Sequence, residues 1–96
     1  MEILLHVTCP DGARIAAPLA KACLRAGIGW GCFLTHDGVR ALADLDFVDV
    51  LRGASRAAVC EHSWKQHMGG APCPIELGSQ TVNSALMGEA RRVVSL

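Results

Sequence analysis

The sequence predicts an α/β fold that is built on a parallel β-sheet. Five short apolar runs alternate along the chain with four segments of helical spacing, and turn-forming Gly, Pro and Asp residues separate most of them. Strands that alternate with helices are joined by crossovers, which place the strands side by side in one parallel sheet. A chain of 96 residues has room for one domain, which we expect to occupy residues 1–96.

The expected elements follow from local signals. Strands are predicted over residues 2–7, 28–35, 54–60, 72–77 and 91–96. Helices are predicted over residues 12–26, 39–51 and 61–68, and a fourth is predicted after Ser79, a favourable N-cap residue. Gly27 is expected to end the first helix, and Pro18 is expected to kink it early because proline removes one helical hydrogen bond.

Apolar spacing predicts which helix faces contact the sheet. In the first helix, the expected inner residues are Ile15, Leu19, Ala22, Cys23 and Ala26. In the later helices, the expected inner residues are Leu42, Leu45, Phe47, Val82, Ala85 and Leu86. Helices on both faces of a five-stranded sheet make three layers, so we expect a flavodoxin-like arrangement with the strand order 2-1-3-4-5.

Composition and charge exclude several classes of protein. Nine basic and nine acidic residues give a formal net charge of zero, so no basic face for nucleic acid is expected. No apolar run reaches the length of a membrane span, and the first residues lack the basic start of a signal peptide. We therefore predict a cytoplasmic protein without nucleic-acid or membrane partners. The hydrophobic content of 51% is high for so small a chain, which predicts a homo-oligomer.

Five cysteines have the most evident chemistry in the chain: Cys9, Cys23, Cys32, Cys60 and Cys73. An odd number without a secretory signal argues against a disulfide framework. No two of them have the C-x-x-C spacing of thioredoxins and zinc ribbons. Each is therefore a buried apolar side chain, a metal ligand or a reactive thiol.

Cys60 is the strongest candidate for a reactive thiol. It ends the third predicted strand and directly precedes a predicted helix. Ligands of open parallel sheets bind beyond the carboxyl ends of the strands, where the strand order reverses. Free amide groups at a helix N-terminus stabilise an anion, so a thiolate is favoured there. His62 and Lys65 are expected to add positive charge, whereas the carboxylate of Glu61 opposes ionisation.

Cys9 is the second candidate, because it lies in a polar turn after the first strand. In the order 2-1-3-4-5 the first and third strands are neighbours, so Cys9 is expected to assist Cys60 or to form a disulfide with it. Cys73 is expected on the order of 15 Å from Cys60, too far to act with it in one subunit. Cys23 and Cys32 are expected to lie in the core.

A metal site is the alternative around Cys60. Cys60, His62, His67 and Cys73 are residue types that bind zinc or copper. Their spacing matches no standard site, and His62 and His67 do not share a helix face, so neither a metal nor another cofactor is predicted. Two further histidines near the same sheet edge are expected to be structural or surface residues: His6 and His36.

Three segments resemble the DsrE/DsrF/DsrH proteins, which include the TusBCD-like sulfur-relay subunits. Residues 32–39 (CFLTHDGV) are similar to the family's hydrophobic strand followed by Asp-Gly-Val. The strand end Val59-Cys60 resembles the place where DsrE-type members carry their sulfur-accepting cysteine. Residues 89–96 (EARRVVSL) are similar to the family's closing strand. Residues 61–69 differ from the small residues and Arg-Gly that commonly follow the cysteine in that family.

The resemblance implies a flavodoxin-like fold, a cytoplasmic location and oligomers from dimers to hexamers. It also implies that a cysteine accepts sulfane sulfur as a persulfide from a donor protein and passes it to an acceptor protein, without a cofactor. By position, this role falls on Cys60. Two alternatives follow from the residues alone: a binding or assembly module in which Cys60 only packs, and a Cys/His metal-binding module.

Overall fold

The computed structural model describes residues 1–96 and has an α/β fold with one parallel sheet of five strands. The strands are β1 (Ile3–Val7), β2 (Trp30–Leu34), β3 (Arg56–Cys60), β4 (Glu76–Gly78) and β5 (Arg92–Ser95). The helices are α1 (Gly12–Ala26), α2 (Leu45–Leu51), α3 (Glu61–Met68) and α4 (Gln80–Glu89), and a 3₁₀ segment spans His36–Ala43. The predicted fold class, the parallel sheet and the five strands are confirmed.

The predicted strand order 2-1-3-4-5 is wrong, because the observed order is 4-3-2-1-5. β2 lies in the middle of the sheet between β1 and β3, and β5 lies at the edge beside β1. Burial explains this placement. All five residues of β2 are buried, which suits a strand covered on both faces, whereas most of β5 is exposed, which suits an edge.

The two faces of the sheet are covered unequally. From β1 to β4 each strand adds beside the previous one, whereas β5 returns to the far side of β1. Right-handed crossovers in opposite directions put their helices on opposite faces. α1, α2, α3 and the 3₁₀ segment accordingly cover one face over a core of 16 buried residues. On the other face, α4 covers a smaller core that contains Leu4, Phe33, Ala58, Cys60 and Leu86.

The predicted inner face of α1 is largely wrong. The buried residues of this helix are Gly12, Ala16, Ala20 and Cys23, of which only Cys23 was expected. Ile15 and Leu19 are 54% and 38% exposed, and Ala22 and Ala26 are also exposed. Small residues face the sheet because they allow the helix backbone to lie close to it. α1 continues through Pro18, and Gly27 caps it in the left-handed conformation with a φ of 69°, as predicted.

The predicted helix over residues 39–51 is two elements that meet at Asp44. The Asp44 carboxylate caps α2 by accepting hydrogen bonds from the backbone N–H groups of Asp46 (2.9 Å) and Phe47 (3.4 Å). Leu42 and Phe47 are buried as predicted, but Leu45 is 78% exposed. The prediction for Leu45 is wrong because the new cap at Asp44 resets the helical phase.

Gly38 brings the start of the 3₁₀ segment against the carboxyl end of β1. A Cβ at this position would lie 2.8 Å from the carbonyl carbon of Val7, closer than real Cβ contacts. Because the neighbour is backbone, it has little room to move. We expect Gly38→Ala to lower the free energy of unfolding by about 1–3 kcal/mol, the usual cost of overpacking. Urea unfolding monitored by circular dichroism measures this change.

Gly88→Ala in α4 is the matched control for this prediction. A Cβ at Gly88 meets nothing within 4 Å. We expect the free energy of unfolding of this variant to rise by about 0.4–1 kcal/mol, because alanine loses less conformational entropy than glycine on forming a helix. Equal effects of the two substitutions would show that Gly38 is not required for a close backbone approach.

Candidate functional site

Cys60 occupies the junction between a strand and a helix. It is the last residue of β3 and the N-cap residue of α3, with extended backbone angles. Its side chain belongs to the smaller core beneath α4, and it is 4% exposed. The predicted position of Cys60, at a strand end directly before a helix, is therefore confirmed.

The same junction lies at the point where the chain changes faces. After β3 the chain enters α3, whose Trp64 packs in the larger core; after β4 it enters α4, whose Leu86 packs in the smaller one. Cys60 and Gly78 pair at the carboxyl ends of these neighbouring strands. Adjacent strands whose connections leave to opposite faces form the crevice in which open α/β sheets bind ligands. The crevice was predicted between the first and third strands, and the structure places it between β3 and β4.

Polar side chains from three other elements lie around Cys60 and form hydrogen bonds with one another. Thr35 follows β2 and lies beside Cys60, Ser63 is on the first turn of α3, and Gln80 begins α4. The Ser63 Oγ accepts a hydrogen bond from the backbone N–H of His36 (3.0 Å) and lies 3.4 Å from the Thr35 Oγ1. The Gln80 Nε2 donates to the Thr35 Oγ1 over 3.4 Å. Each hydroxyl oxygen therefore accepts a hydrogen bond from a nitrogen and keeps its own proton for donation.

These donors change the acidity of the Cys60 thiol. Burial raises its pKa, because desolvation disfavours the charged thiolate. Hydrogen bonds from the Ser63 hydroxyl and backbone N–H, the Gln80 amide and the Thr35 hydroxyl act in the opposite direction and outweigh burial. The net result is a pKa below the usual thiol value. A thiolate, not a thiol, is the nucleophile, so the site favours reaction at this sulfur.

A second layer of polar contacts connects the site to β1. Asn83 of α4 donates from its Nδ2 to the Gln80 Oε1 over 3.2 Å, and the same nitrogen lies 3.5 Å from the His6 Nε2. The His6 ring stacks on Phe33, with centroids 6.2 Å apart and planes 6° from parallel. Burial, followed by the nearby charge of His36, lowers the pKa of His6. His6 is therefore neutral near pH 7, and one of its ring nitrogens accepts hydrogen bonds.

The predicted helpers of Cys60 lie elsewhere. His62, Glu61 and Lys65 are exposed on α3, and none of them is among the groups that shift the pKa of Cys60. Cys9 is exposed after β1, and β2 separates β1 from β3. Strands two positions apart are about 10 Å apart, whereas a disulfide needs Cα atoms within about 7 Å. The predicted disulfide between Cys9 and Cys60 is therefore wrong for this strand order.

The other cysteines lie on the opposite face of the sheet. Cys23 and Cys32 are buried in the larger core, as predicted, and burial raises the pKa of Cys32 to about 12. Cys73 is half-buried against the same core, and burial raises its pKa as well. The candidate metal ligands are not assembled, since no three His, Cys, Asp or Glu side chains are placed to bind one ion.

Sequence reasoning missed the residues that surround the thiol: Thr35, Ser63, Gln80 and Asn83. Ser63 had a signal, because it is the third residue of a helix that begins after Cys60, where its N–H and hydroxyl face the cap. Asn83 had none, since apolar spacing placed Ala85 inside α4, whereas Ala85 is exposed and Asn83 is buried. Val82 is half-buried and Leu86 is buried, as expected.

The two surface grooves of the structure are not lined by Cys60. The larger groove, of about 570 Å³, lies between α1 and α2 on the face opposite Cys60, with acidic and basic side chains in its walls.

No helix combines the length and the apolar character needed to cross a bilayer. No model of a protein family matches the chain, and no curated protein matches it significantly. The assignment of the candidate site therefore rests on the geometry of the structure alone.

Proposed function

We propose that this protein carries sulfane sulfur as a persulfide on Cys60, in the manner of the DsrE-like proteins that the sequence resembles. The observation that carries the proposal is the set of donors around one sulfur: Thr35, Ser63 and Gln80, at the N-cap of α3. The flavodoxin-like character of the parallel sheet agrees with the same family. Perturbed pKa values cluster at functional sites, so several donors around one buried thiol favour a chemical role for Cys60 over a packing role.

The reaction needs no cofactor and no oxidant. The Cys60 thiolate attacks the outer sulfur of a donor persulfide, the donor's S–S bond breaks, and the donor leaves as a thiolate while Cys60 becomes a persulfide. An acceptor thiolate then attacks the outer sulfur on Cys60, and the Cys60 thiolate leaves. Charge and sulfur are conserved in each step. Ser63, Thr35 and Gln80 stabilise the anion before the first step and after the second.

Access to the sulfur limits which donors can react. Cys60 is 4% exposed, whereas Gln80, whose side chain contacts the site, is exposed. The Gln80 carboxamide must therefore move aside when sulfur enters. A donor must reach between β3 and β4, so we expect a small persulfide or a cysteine on a protruding segment of a partner protein. Self-association of the chain stays a prediction from composition.

Mass spectrometry of the protein treated with a small persulfide donor tests the proposal. Trypsin separates the five cysteines into five peptides, and residues 57–65 contain Cys60 alone. We expect a gain of about 32 Da, one sulfur atom, on this peptide under native conditions. Cys60→Ser should lose the adduct, and Cys9→Ser should keep it. An unmodified 57–65 peptide, or equal labelling of the exposed Cys9, would exclude the carrier function.

The low exposure of Cys60 favours one second candidate. In a binding or assembly module of the same fold, Cys60 would only pack beneath α4, and its donors would be structural. The rate of iodoacetamide reaction with peptide 57–65 separates the two. A reactive carrier thiol should alkylate near the rate of a free thiolate once Gln80 moves, whereas a packed thiol should alkylate only as fast as the protein unfolds.

A further inference from the structure

We propose that Asn83 is a positioning residue that fixes the Gln80 carboxamide with its N–H group facing the Cys60 sulfur. This inference deepens the proposed function and rests on Cys60 being its reacting thiol. It assigns a role to a buried amide in α4 that the sequence pattern left unexplained.

The two ends of the Gln80 carboxamide have opposite effects on a thiolate. Its Nε2 donates to the Thr35 Oγ1 and lowers the pKa of Cys60. Rotation of the amide by half a turn would bring the Oε1 lone pairs to the sulfur, where they repel a negative charge. The Asn83 Nδ2 donates to the Gln80 Oε1 over 3.2 Å. Rotation would place the Gln80 Nε2 there instead, so that two donors would face each other. The contact with Asn83 therefore excludes the rotated amide.

Asn83 can hold this orientation because it is itself fixed. It is 8% exposed, so little water competes for its amide, and its Oδ1 is buried without a hydrogen-bond partner. Such an unpaired oxygen costs free energy, and a surface asparagine would turn to solvate it. The cost is retained here, which indicates that the nitrogen end of Asn83 is required where it is.

His6 supports the same orientation from the other side. Its Nε2 lies 3.5 Å from the Asn83 Nδ2, and stacking on Phe33 keeps the ring plane in place. A neutral His6 that accepts at Nε2 matches the donor end of Asn83. The Gln80 amide accepts at its Oε1 and donates from its Nε2, and hydrogen bonds in such a series polarise one another. The bond from Asn83 therefore strengthens the donation by Gln80.

The pH dependence of iodoacetamide alkylation at Cys60, read from peptide 57–65, tests the proposal. We expect Gln80→Ala to raise the midpoint by about 0.5 pH units, as for the loss of one hydrogen bond. The plateau rate at high pH should rise, because the Gln80 side chain no longer covers the sulfur. Asn83→Ala should shift the midpoint in the same direction. Ser84→Ala, an exposed neighbour on α4, is the matched control and should leave the midpoint unchanged.

A double-mutant cycle separates positioning from a general structural effect. If Asn83 acts through Gln80, Asn83→Ala should cause no further shift in the Gln80→Ala background. Equal shifts in both backgrounds would overturn the proposal. Gln80 is exposed, so its substitution leaves the fold intact, and an unchanged midpoint in Gln80→Ala alone would also overturn it. Alkylation involves no sulfur transfer, so a failed persulfide test with the expected pH shifts would reject the carrier function and keep this inference.

Discussion

Truncation of Leu86 to alanine is expected to destabilise the protein by about 2–5 kcal/mol and to expose the thiol site at the same time. Leu86 is fully buried in the smaller core, where α4 covers the sheet next to Phe33 and Cys60. No other helix packs in this core. Loss of the leucine side chain removes apolar contact and leaves a cavity, so α4 should separate more readily from the sheet.

Two measurements check the Leu86→Ala prediction. Urea unfolding should give the loss of stability, and native alkylation of peptide 57–65 should become faster because α4 carries Gln80 over Cys60. Met87→Ala is the matched control, since Met87 is the next residue along α4 and is 37% exposed. We expect it to change stability by less than about 1 kcal/mol. A destabilised Leu86→Ala protein with unchanged alkylation would show that α4 does not shield the thiol.

Alkaline pH is expected to destabilise the protein through Cys32. This residue is fully buried, and burial raises the pKa of its thiol from 9.0 to about 12. A raised pKa in the folded state means that the unfolded chain loses the proton first as pH rises. The stability that the neutral thiol provides is therefore complete below pH 9 and is lost between pH 9 and 12. The expected slope is about 1.4 kcal/mol per pH unit over this window.

Comparison with Cys32→Ala isolates the contribution of this thiol. The variant should be less stable than the wild type at pH 8, because it leaves a small cavity beside neighbours such as Leu34. The difference between the two proteins should shrink from pH 9 upward, since the variant has no thiol to ionise. Urea titrations at several pH values measure the difference. A constant difference up to pH 11 would contradict the prediction.

Local signals in the sequence predicted the elements better than their arrangement. α3 was predicted at its observed bounds, Gly27 and Ser79 act as the expected caps, and Cys60 ends a strand as expected. These features depend on residues close in the chain. Strand order depends on pairing between distant segments, and both orders satisfy right-handed crossovers. The run without polar residues in β2 (WGCFL) is a local signal that favours a central strand.

The candidate site was predicted at its nucleophile but not in its surroundings. Cys60 was found because a strand end, a helix start and a thiol coincide within one segment. Thr35, Gln80 and Asn83 come from segments up to 48 positions apart in the chain, so only the folded sheet brings them to the sulfur. The expected help from Cys9 failed with the strand order. His62 was chosen for nearness in sequence, whereas its position on α3 leaves it exposed.

The edge of β1 is covered by β5, the strand that comes last in the sequence. β1 to β4 are synthesised in the order in which they pair, so the strands of a four-stranded sheet are all present once Gly78 has been added. The free edge of β1 and the sheet face that contains Cys60 stay open until α4 and β5 follow. Because Gln80 and Asn83 follow β4 in the chain, they are the last neighbours of Cys60 to be synthesised. Until then, Cys60 lacks the two amides and the Leu86 side chain that α4 places over this face of the sheet.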